Sequence, residues 1–293
     1  MKLSVSSYSF FQHIRDGKLS YVDCVDKAAE MGFDAIEFIN LDLDLHGVSG
    51  IDAEKELARK IKDRAAACGV DVNAYTIGAC LYKDTESERL AEVERVKAQL
   101  DVAAELGAKV LRHDVCYSLG KTGAARSFDL MLPYIAESSR KITEYGETLG
   151  IRTCTENHGY IAQDSDRVER LFNAVNHDNF GLLVDMGNFA CVDEDPAIAV
   201  SRVAPYAIHV HVKDLKILDD ESAGLFPTRG GKSVLGTVIG EGDIPVKRCL
   251  SILKRAGYDG YLSMEYDGRE DSMTAVPRGL KNLKRILAEI DWK

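Results

Sequence analysis

The stretch Ala207-Ile208-His209-Val210-His211-Val212-Lys213-Asp214 is an alternating apolar run that ends in polar groups, the pattern of a β-strand. Successive side chains of a strand point to opposite faces, so His209 and His211 share one face. In parallel β/α architectures, binding and chemistry collect at the C-terminal ends of the strands. The fold therefore turns on whether similar strands lie on either side of this one and end in groups of matching chemistry.

Working outward, the preceding strands are Gly181-Leu182-Leu183-Val184-Asp185 and Ile151-Arg152-Thr153-Cys154-Thr155-Glu156. The following one is Gly260-Tyr261-Leu262-Ser263-Met264-Glu265. Toward the N-terminus lie Leu3 to Tyr8, Ala35 to Ile39, Val70 to Tyr75, and Lys109 to Arg112, which runs on into His113-Asp114. Helical periodicity fills the intervals. Leu57, Ile61 and Ala65 form one stripe over Asp52 to Cys68, and Leu90, Val93, Val96, Leu100 and Ala104 another over Ser87 to Leu106. Gly32, Gly69, Gly107, Gly150 and Gly257 close helices, and Pro196 opens one. Pro133 is expected near the start of its helix or at a kink. Strict alternation of strand and helix implies a parallel sheet, and eight such units in 293 residues predict a single (β/α)8 TIM barrel over residues 1–293. A doubly wound sheet is the competing architecture.

Composition narrows the function. Hydrophobic residues make up 45% and charged residues 29%, as in ordinary globular domains. A net charge of -10 opposes nonspecific binding to nucleic acid and anionic membranes. No apolar run approaches the roughly 20 residues that span a bilayer, and residues 1–15 carry no signal-peptide pattern. The seven cysteines form no C-x-x-C pair, which fits unpaired thiols in a reducing cytoplasm, the expected localisation.

The longest irregular stretch, Leu215 to Asp243, reads as a flexible lid. Its Gly230-Gly231-Lys232-Ser233 resembles half a P-loop, but Phe226 stands where that motif needs its first glycine, so it is not read as a nucleotide site.

Four consecutive strands each deliver one potential ligand to the same rim: Glu156, Asp185, His211 and Glu265. Three carboxylates and an imidazole suit a divalent cation such as Mn, Mg or Co, and Zn would tolerate them. Open coordination positions would let a cation polarise a substrate carbonyl. Taken singly, a strand-end carboxylate is often only a helix cap and a strand histidine only a core residue; four in register argue for a site. His209 is expected deeper on the same face as a hydrogen-bonding group. His158, His113 and Lys213 are candidate substrate-binding groups, with Arg112 and Asp114 beside them. Glu37 would either meet a hydroxyl or buttress His211. Tyr8, Phe10 and Phe11 would form an apolar wall or belong to the core.

The segments Thr155-Glu156-Asn157-His158-Gly159, Val184-Asp185-Met186-Gly187-Asn188, His209-Val210-His211-Val212-Lys213-Asp214, Gly240-Glu241-Gly242-Asp243-Ile244 and Gly257 to Glu265 resemble the xylose isomerase-like sugar isomerase/epimerase superfamily. It includes ketose 3-epimerases, hydroxypyruvate isomerases, inosose dehydratases and endonuclease IV. The resemblance runs along nearly the whole chain. It implies that Glu156, Asp185, His211 and Glu265 bind the metal, and that Glu156 and Glu265 also exchange the proton next to a carbonyl. It also implies possible homo-oligomers. The chain departs from the 3-epimerases: Asn188 stands where they have His, Ile217 where they have Arg, and Ala162 where they have Glu. Asn188 can still hydrogen-bond a substrate hydroxyl. The expected activity is a metal-dependent isomerase or epimerase on a small sugar or polyol ketone. The alternative is a lyase on the same scaffold, of the inosose or dehydroshikimate dehydratase or C-glycoside-cleaving kind, with His158 as acid. A nuclease is disfavoured by the low histidine count and acidic charge, and a non-enzymatic sugar-binding barrel would bind no metal.

Overall fold

Alternation decides which side chains enter the interior. In β5 (Arg152–Glu156), Thr153 faces outward and its hydroxyl meets that of Thr143 on α5 (Phe128–Thr148) at 2.7 Å, while Glu156 faces in. In β3 (Asp71–Ile77), Tyr75 faces outward to Gln99 on α4 (Glu86–Leu106), with 2.8 Å between Oη and Oε1. These relations belong to a computed structural model that describes residues 1–41, 49–120, 123–220 and 226–292.

The remaining barrel strands are β1 (Leu3–Ser6), β2 (Ala35–Ile39), β4 (Val110–His113), β6 (Phe180–Asp185), β7 (Ala207–Val212) and β11 (Leu262–Met264). They close in the order β1-β11-β7-β6-β5-β4-β3-β2, and every pairing is parallel. The TIM barrel is thus observed and the doubly wound sheet excluded. The register places Asp185 opposite His211 and Ser263 opposite His211, so the ends of β6, β7 and β11 meet at one height.

The helices cover the barrel with apolar stripes. On α4, Val93, Val96, Leu100 and Ala103 are buried; on α9 (Ser272–Glu289), Leu280, Leu283 and Leu287 are. Each such side chain contributes roughly 1.5–3 kcal/mol on burial. Helix starts are capped as the sequence leads one to expect: Ser20 and Asp23 form a capping box on α2 (Tyr21–Met31), and Thr85 and Glu88 one on α4. Gly32 and Gly107 end α2 and α4 at φ of 83° and 79°, where a side chain would be strained. Pro133 lies inside α5, in its N-terminal part. The other helices are α1 (Phe11–Arg15), α3 (Ile51–Cys68), α6 (Ser165–Val175), α7 (Pro196–Val203) and α8 (Val246–Arg255). Among the described residues no helix is long and apolar enough to cross a membrane. All seven cysteines are free.

The stretch after β7 departs from expectation. It is not irregular: β8 (Asp214–Leu218), β10 (Ser233–Thr237) and β9 (Phe226–Pro227) form an antiparallel three-stranded sheet. Residues 221–225 of the expected lid lie outside the described residues. The Gly-Gly-Lys segment is the hairpin turn between β9 and β10, closed by Thr228 N donating to Lys232 O at 2.8 Å. Gly231 takes φ of 90°, which that turn requires. Asp193 pins the turn by accepting from Thr228 Oγ1 at 2.8 Å and from Gly230 N at 2.5 Å.

Candidate metal centre

Glu156, Asp185, His211 and Glu265 converge at the C-terminal mouth of the barrel. All are buried, and each offers a donor atom within 4.8 Å of those of the others. Local folding aims each one. Asp185 Oδ1 accepts from the backbone N–H groups of Gly187 (2.7 Å) and Asn188 (3.0 Å), so the turn after β6 engages that oxygen and leaves Oδ2 facing the centre. The Asn157 side chain clamps the ends of β5 and β6, donating to Asp185 O and accepting from Asp185 N, both at 2.9 Å.

His211 sits between its partners. Its Nδ1 lies 3.7 Å from Glu156 Oε1, 3.8 Å from Asp185 Oδ2 and 3.8 Å from Glu265 Oε2. These separations are too long for hydrogen bonds, and His211 Nδ1 and Asp185 Oδ2 are buried without a hydrogen-bond partner. Buried polar atoms are normally satisfied, so a convergent set of orphans fits donors to a shared cation. The donor set of one imidazole and three carboxylates suits a divalent ion without deciding which.

Behind His211 lies Glu37, fully buried. Its Oε1 is 2.7 Å from His211 Nε2 and its Oε2 2.5 Å from His209 Nε2. Burial by itself would raise the Glu37 carboxyl, but His211 and His209 hold it well below the usual carboxylate range. Glu37 therefore holds His211 by charge and close approach at the nitrogen remote from the centre, and its aligned hydrogen bond is to His209. It does not reach the cavity.

The two glutamates are not equivalent. Glu156 Oε1 accepts from Asn188 Nδ2 at 2.8 Å and Oε2 lies 2.5 Å from Arg112 Nη2. Burial raises its carboxyl, and Arg112 followed by His211 lowers it further than burial raises it. Glu265 Oε2 meets Lys213 Nζ, whereas its Oε1 has no described hydrogen bond. Burial pushes the Glu265 carboxyl up, with Lys213 and His211 opposing incompletely. Lys213 also lies 3.4 Å from Asp185 Oδ2 and from Asn188 Oδ1.

A cavity of about 600 Å³ opens over this cluster, lined by Glu156, His211 and Glu265 of the four. On its β4 side Asp114 is a hub: it pairs with Arg112 at 2.8 Å, accepts from Tyr117 Oη at 2.7 Å, and contacts His158 Nδ1 at 2.9 Å. Burial opposes ionisation, but Arg112 and His158 bring the Asp114 carboxyl down to about 2. Partial desolvation lowers His158, but its hydrogen bond to Asp114 and the charge of that carboxylate raise it. With Nδ1 so engaged, Nε2 is left for the cavity.

Asn188, His158 and Lys213, expected at the site from sequence, all line this cavity. His113 is a correction. It is fully buried, its ring packs 6.3 Å from Phe180, and its Nδ1 contacts Asp114 O at 3.0 Å. Alternation is the reason: Arg112 faces in, so His113 faces the helices. Phe10 is core, and Tyr8 lines the cavity. Lys213 pairs with Glu265 and Asp185 rather than with Asp214. Asp267, unnoticed in the sequence, also lines the cavity, 3.4 Å from Tyr8 Oη. It lies beyond the end of β11, where alternation no longer places a side chain.

Comparison with known proteins agrees with this architecture. The family described as xylose isomerase-like TIM barrel matches residues 25–286. The rhizopine catabolism protein MocC of Rhizobium meliloti is 27% identical over 229 residues, covering 69% of this chain and 66% of that protein. The chain spans from 49% to 70% of the length of the curated relatives it first matches. Among solved structures, the probable 3-DHS dehydratase AsbF of Bacillus anthracis, involved in petrobactin synthesis, superposes with a TM-score of 0.73 at 18% identity, covering 97% of this chain and 99% of that one. A D-psicose 3-epimerase superposes with a TM-score of 0.72 at 17% identity, covering 98% and 99%. At these identities the structural likenesses are likenesses of fold.

Proposed function

The chain belongs to the xylose isomerase-like TIM barrel family, and from that premise and the geometry of its centre we propose a metal-dependent enzyme that removes the proton next to a carbonyl of a small sugar or polyol ketone and then eliminates water. A divalent cation held by Glu156, Asp185, His211 and Glu265 supplies Lewis acidity at the carbonyl oxygen. The remaining work falls to the chain's own groups. Glu265 Oε1 takes the C–H proton, and the electron pair of that bond moves toward the carbonyl. The C–O bond one carbon further breaks, and the hydroxyl leaves as water with a proton from His158 Nε2. The product is an unsaturated ketone. Lys213 and Asn188 orient substrate oxygens.

The observation that carries elimination over isomerisation is the asymmetry of the glutamates. Both Glu156 oxygens are engaged, by Asn188 and Arg112, while Glu265 keeps Oε1 open. Epimerisation at one carbon needs a second mobile acid on the opposite face, whereas elimination needs an acid beside the leaving group, where His158 is braced by Asp114. The isomerase or epimerase reading shares the first step and is favoured by the presence of both glutamates in one donor cluster. It requires Glu156 to release Arg112.

Proton NMR in deuterated water separates the two. Magnesium-loaded protein would be given a panel of ketohexoses, inososes, dehydroshikimate and 3-keto-glycosides. An alkene signal is expected, and His158→Gln should keep deuterium exchange while losing the alkene. A new isomer carrying deuterium next to the carbonyl, with no alkene, would replace elimination by epimerisation. A variant Glu265→Gln with full turnover would overturn both readings.

A further inference from the structure

The cavity is divided in chemistry as well as in depth. Its floor is charged and buried: Arg112, Glu156, His211, Lys213 and Glu265 are each 8% exposed or less. Its mouth is different. Tyr8, Ile39, Tyr117, Tyr160 and Phe226 line it, from five separate parts of the fold. Tyr117 is 44% exposed and Phe226 46%, and both face the same cavity.

The hydroxyls of the mouth are already engaged with the protein. Tyr117 Oη donates to Asp114 at 2.7 Å, Tyr160 Oη to Pro227 O at 2.6 Å, and Tyr8 Oη to Asp267 at 3.4 Å. Two neighbouring polar side chains are partly engaged too. Asn40 Oδ1 accepts from Gly78 N at 3.2 Å, and Thr76 Oγ1 donates to Phe38 O at 3.4 Å. What these residues turn toward the opening is mostly ring face, ring edge and aliphatic surface, beside the Asn40 amide nitrogen and the Asp267 carboxylate. A second sugar ring would find few described side-chain partners there for its hydroxyls, and burying polar groups without partners is unfavourable. A flat apolar group would lose nothing. The volume agrees, since about 600 Å³ lies within the roughly 300–1,000 Å³ of sites that enclose drug-sized ligands.

We infer that the mouth is an apolar subsite, and that the substrate is a sugar or polyol ketone carrying an aromatic substituent, with its polyol part on the charged floor and its ring between Phe226 and the tyrosines. This rests on the sugar- or polyol-ketone reading above and names its substrate class. Phe226 has the most specific role. It is carried by the short strand β9, which Tyr160 holds through Pro227 O, and it makes no contribution to the metal centre.

The test is binding of unreactive probes, so it does not depend on turnover. Magnesium-loaded protein would be titrated calorimetrically with 4-nitrophenyl β-D-glucoside, methyl β-D-glucoside and cellobiose. The aryl glycoside is expected to bind at least tenfold more tightly than the methyl glycoside. Phe226→Ala should remove most of that advantage while leaving methyl glucoside affinity and metal affinity unchanged. Equal affinity for the aryl and methyl glycosides, absence of aryl glycoside binding, or cellobiose binding as tightly as the aryl glycoside would each overturn the proposal. Failure of the sugar-ketone reading itself would show separately, as absence of deuterium exchange across the ketone panel.

Discussion

Arg112 and Glu156 form a buried ion pair on the floor of the barrel mouth, with Nη2 2.5 Å from Oε2 and both side chains about 5% exposed or less. The same guanidinium holds Asp114 at 2.8 Å. Two carboxylates thus share one cation where water hardly reaches. Removing one partner of such a pair leaves charge uncompensated and costs about 3–5 kcal/mol. Arg112→Gln should destabilise the metal-free protein by an amount of that order in urea unfolding. Added manganese should recover part of the loss, because a divalent ion at the proposed four-residue centre would offset the Glu156 charge. A variant as stable as the parent, with no dependence on metal, would show that Glu156 is not held as described.

The Glu37 carboxylate touches no cavity surface, so its replacement isolates the positioning of His211. Glu37→Gln keeps the shape but removes the carboxylate charge that faces His211 and His209. Partners of this kind typically contribute 10–100-fold to metal affinity. Calorimetric titration with manganese should show a loss within that range, and the melting temperature in excess metal should return close to that of the parent. Unchanged affinity would mean that the position of His211 is set by something else.

Much of this cluster was legible in the sequence because each of its residues lies at or next to the end of a strand and strand alternation has a fixed period. Glu156, Asp185, His211 and Glu265 needed only that rule. The rule also explains the failure at His113. Arg112, His113 and Asp114 are consecutive polar residues at the end of β4, and nothing in the local pattern says which of them faces inward. Pairing does: β4 sets Arg112 opposite Cys154 of β5 and Thr76 of β3. Tyr117, Tyr160 and Phe226 come from loops or a two-residue strand, where no periodicity exists to place a side chain. The β8–β10–β9 sheet escaped notice because β9 has only two residues and the β9–β10 turn carries Gly230 and Gly231.

Asp214 holds the loop that follows β10 in place. Its carboxylate accepts from the backbone N–H groups of Leu215 (2.9 Å), Gly240 (2.8 Å), Gly242 (2.9 Å) and Ile244 (3.2 Å). The fit is tight: a Cβ on Gly242 would stand 1.9 Å from Asp214 Oδ1. Asp214→Ala should therefore leave several donors without their carboxylate partner, at about 1–3 kcal/mol for each one that water does not reach. We expect a total loss of about 3 kcal/mol in urea unfolding, since the glycine-rich loop is partly open to solvent. Gly242→Ala should destabilise as well, by forcing the loop off the carboxylate. Stability within experimental error of the parent for both variants would refute this account of the loop.

His113 supplies a pH dependence independent of the metal. Burial pushes its imidazole down to about 4 from an ordinary 6.5, the nearby Asp114 backbone carbonyl opposing only in part. The unfolded chain therefore takes up a proton on this group near pH 6.5, and the folded chain does so only near pH 4. Stability from the neutral buried ring is complete above about pH 6.5 and declines as pH falls toward 4. With about 1.4 kcal/mol for each pKa unit, the fall between pH 7 and 4.5 amounts to about 2–3 kcal/mol. His113→Gln keeps a donor for the Asp114 carbonyl but does not titrate. Urea unfolding at both pH values, in metal-free buffer, should show a smaller decline for this variant by about that amount. An identical decline in parent and variant would assign the acid sensitivity to other groups, with the carboxylates of the four-ligand centre as the next to examine.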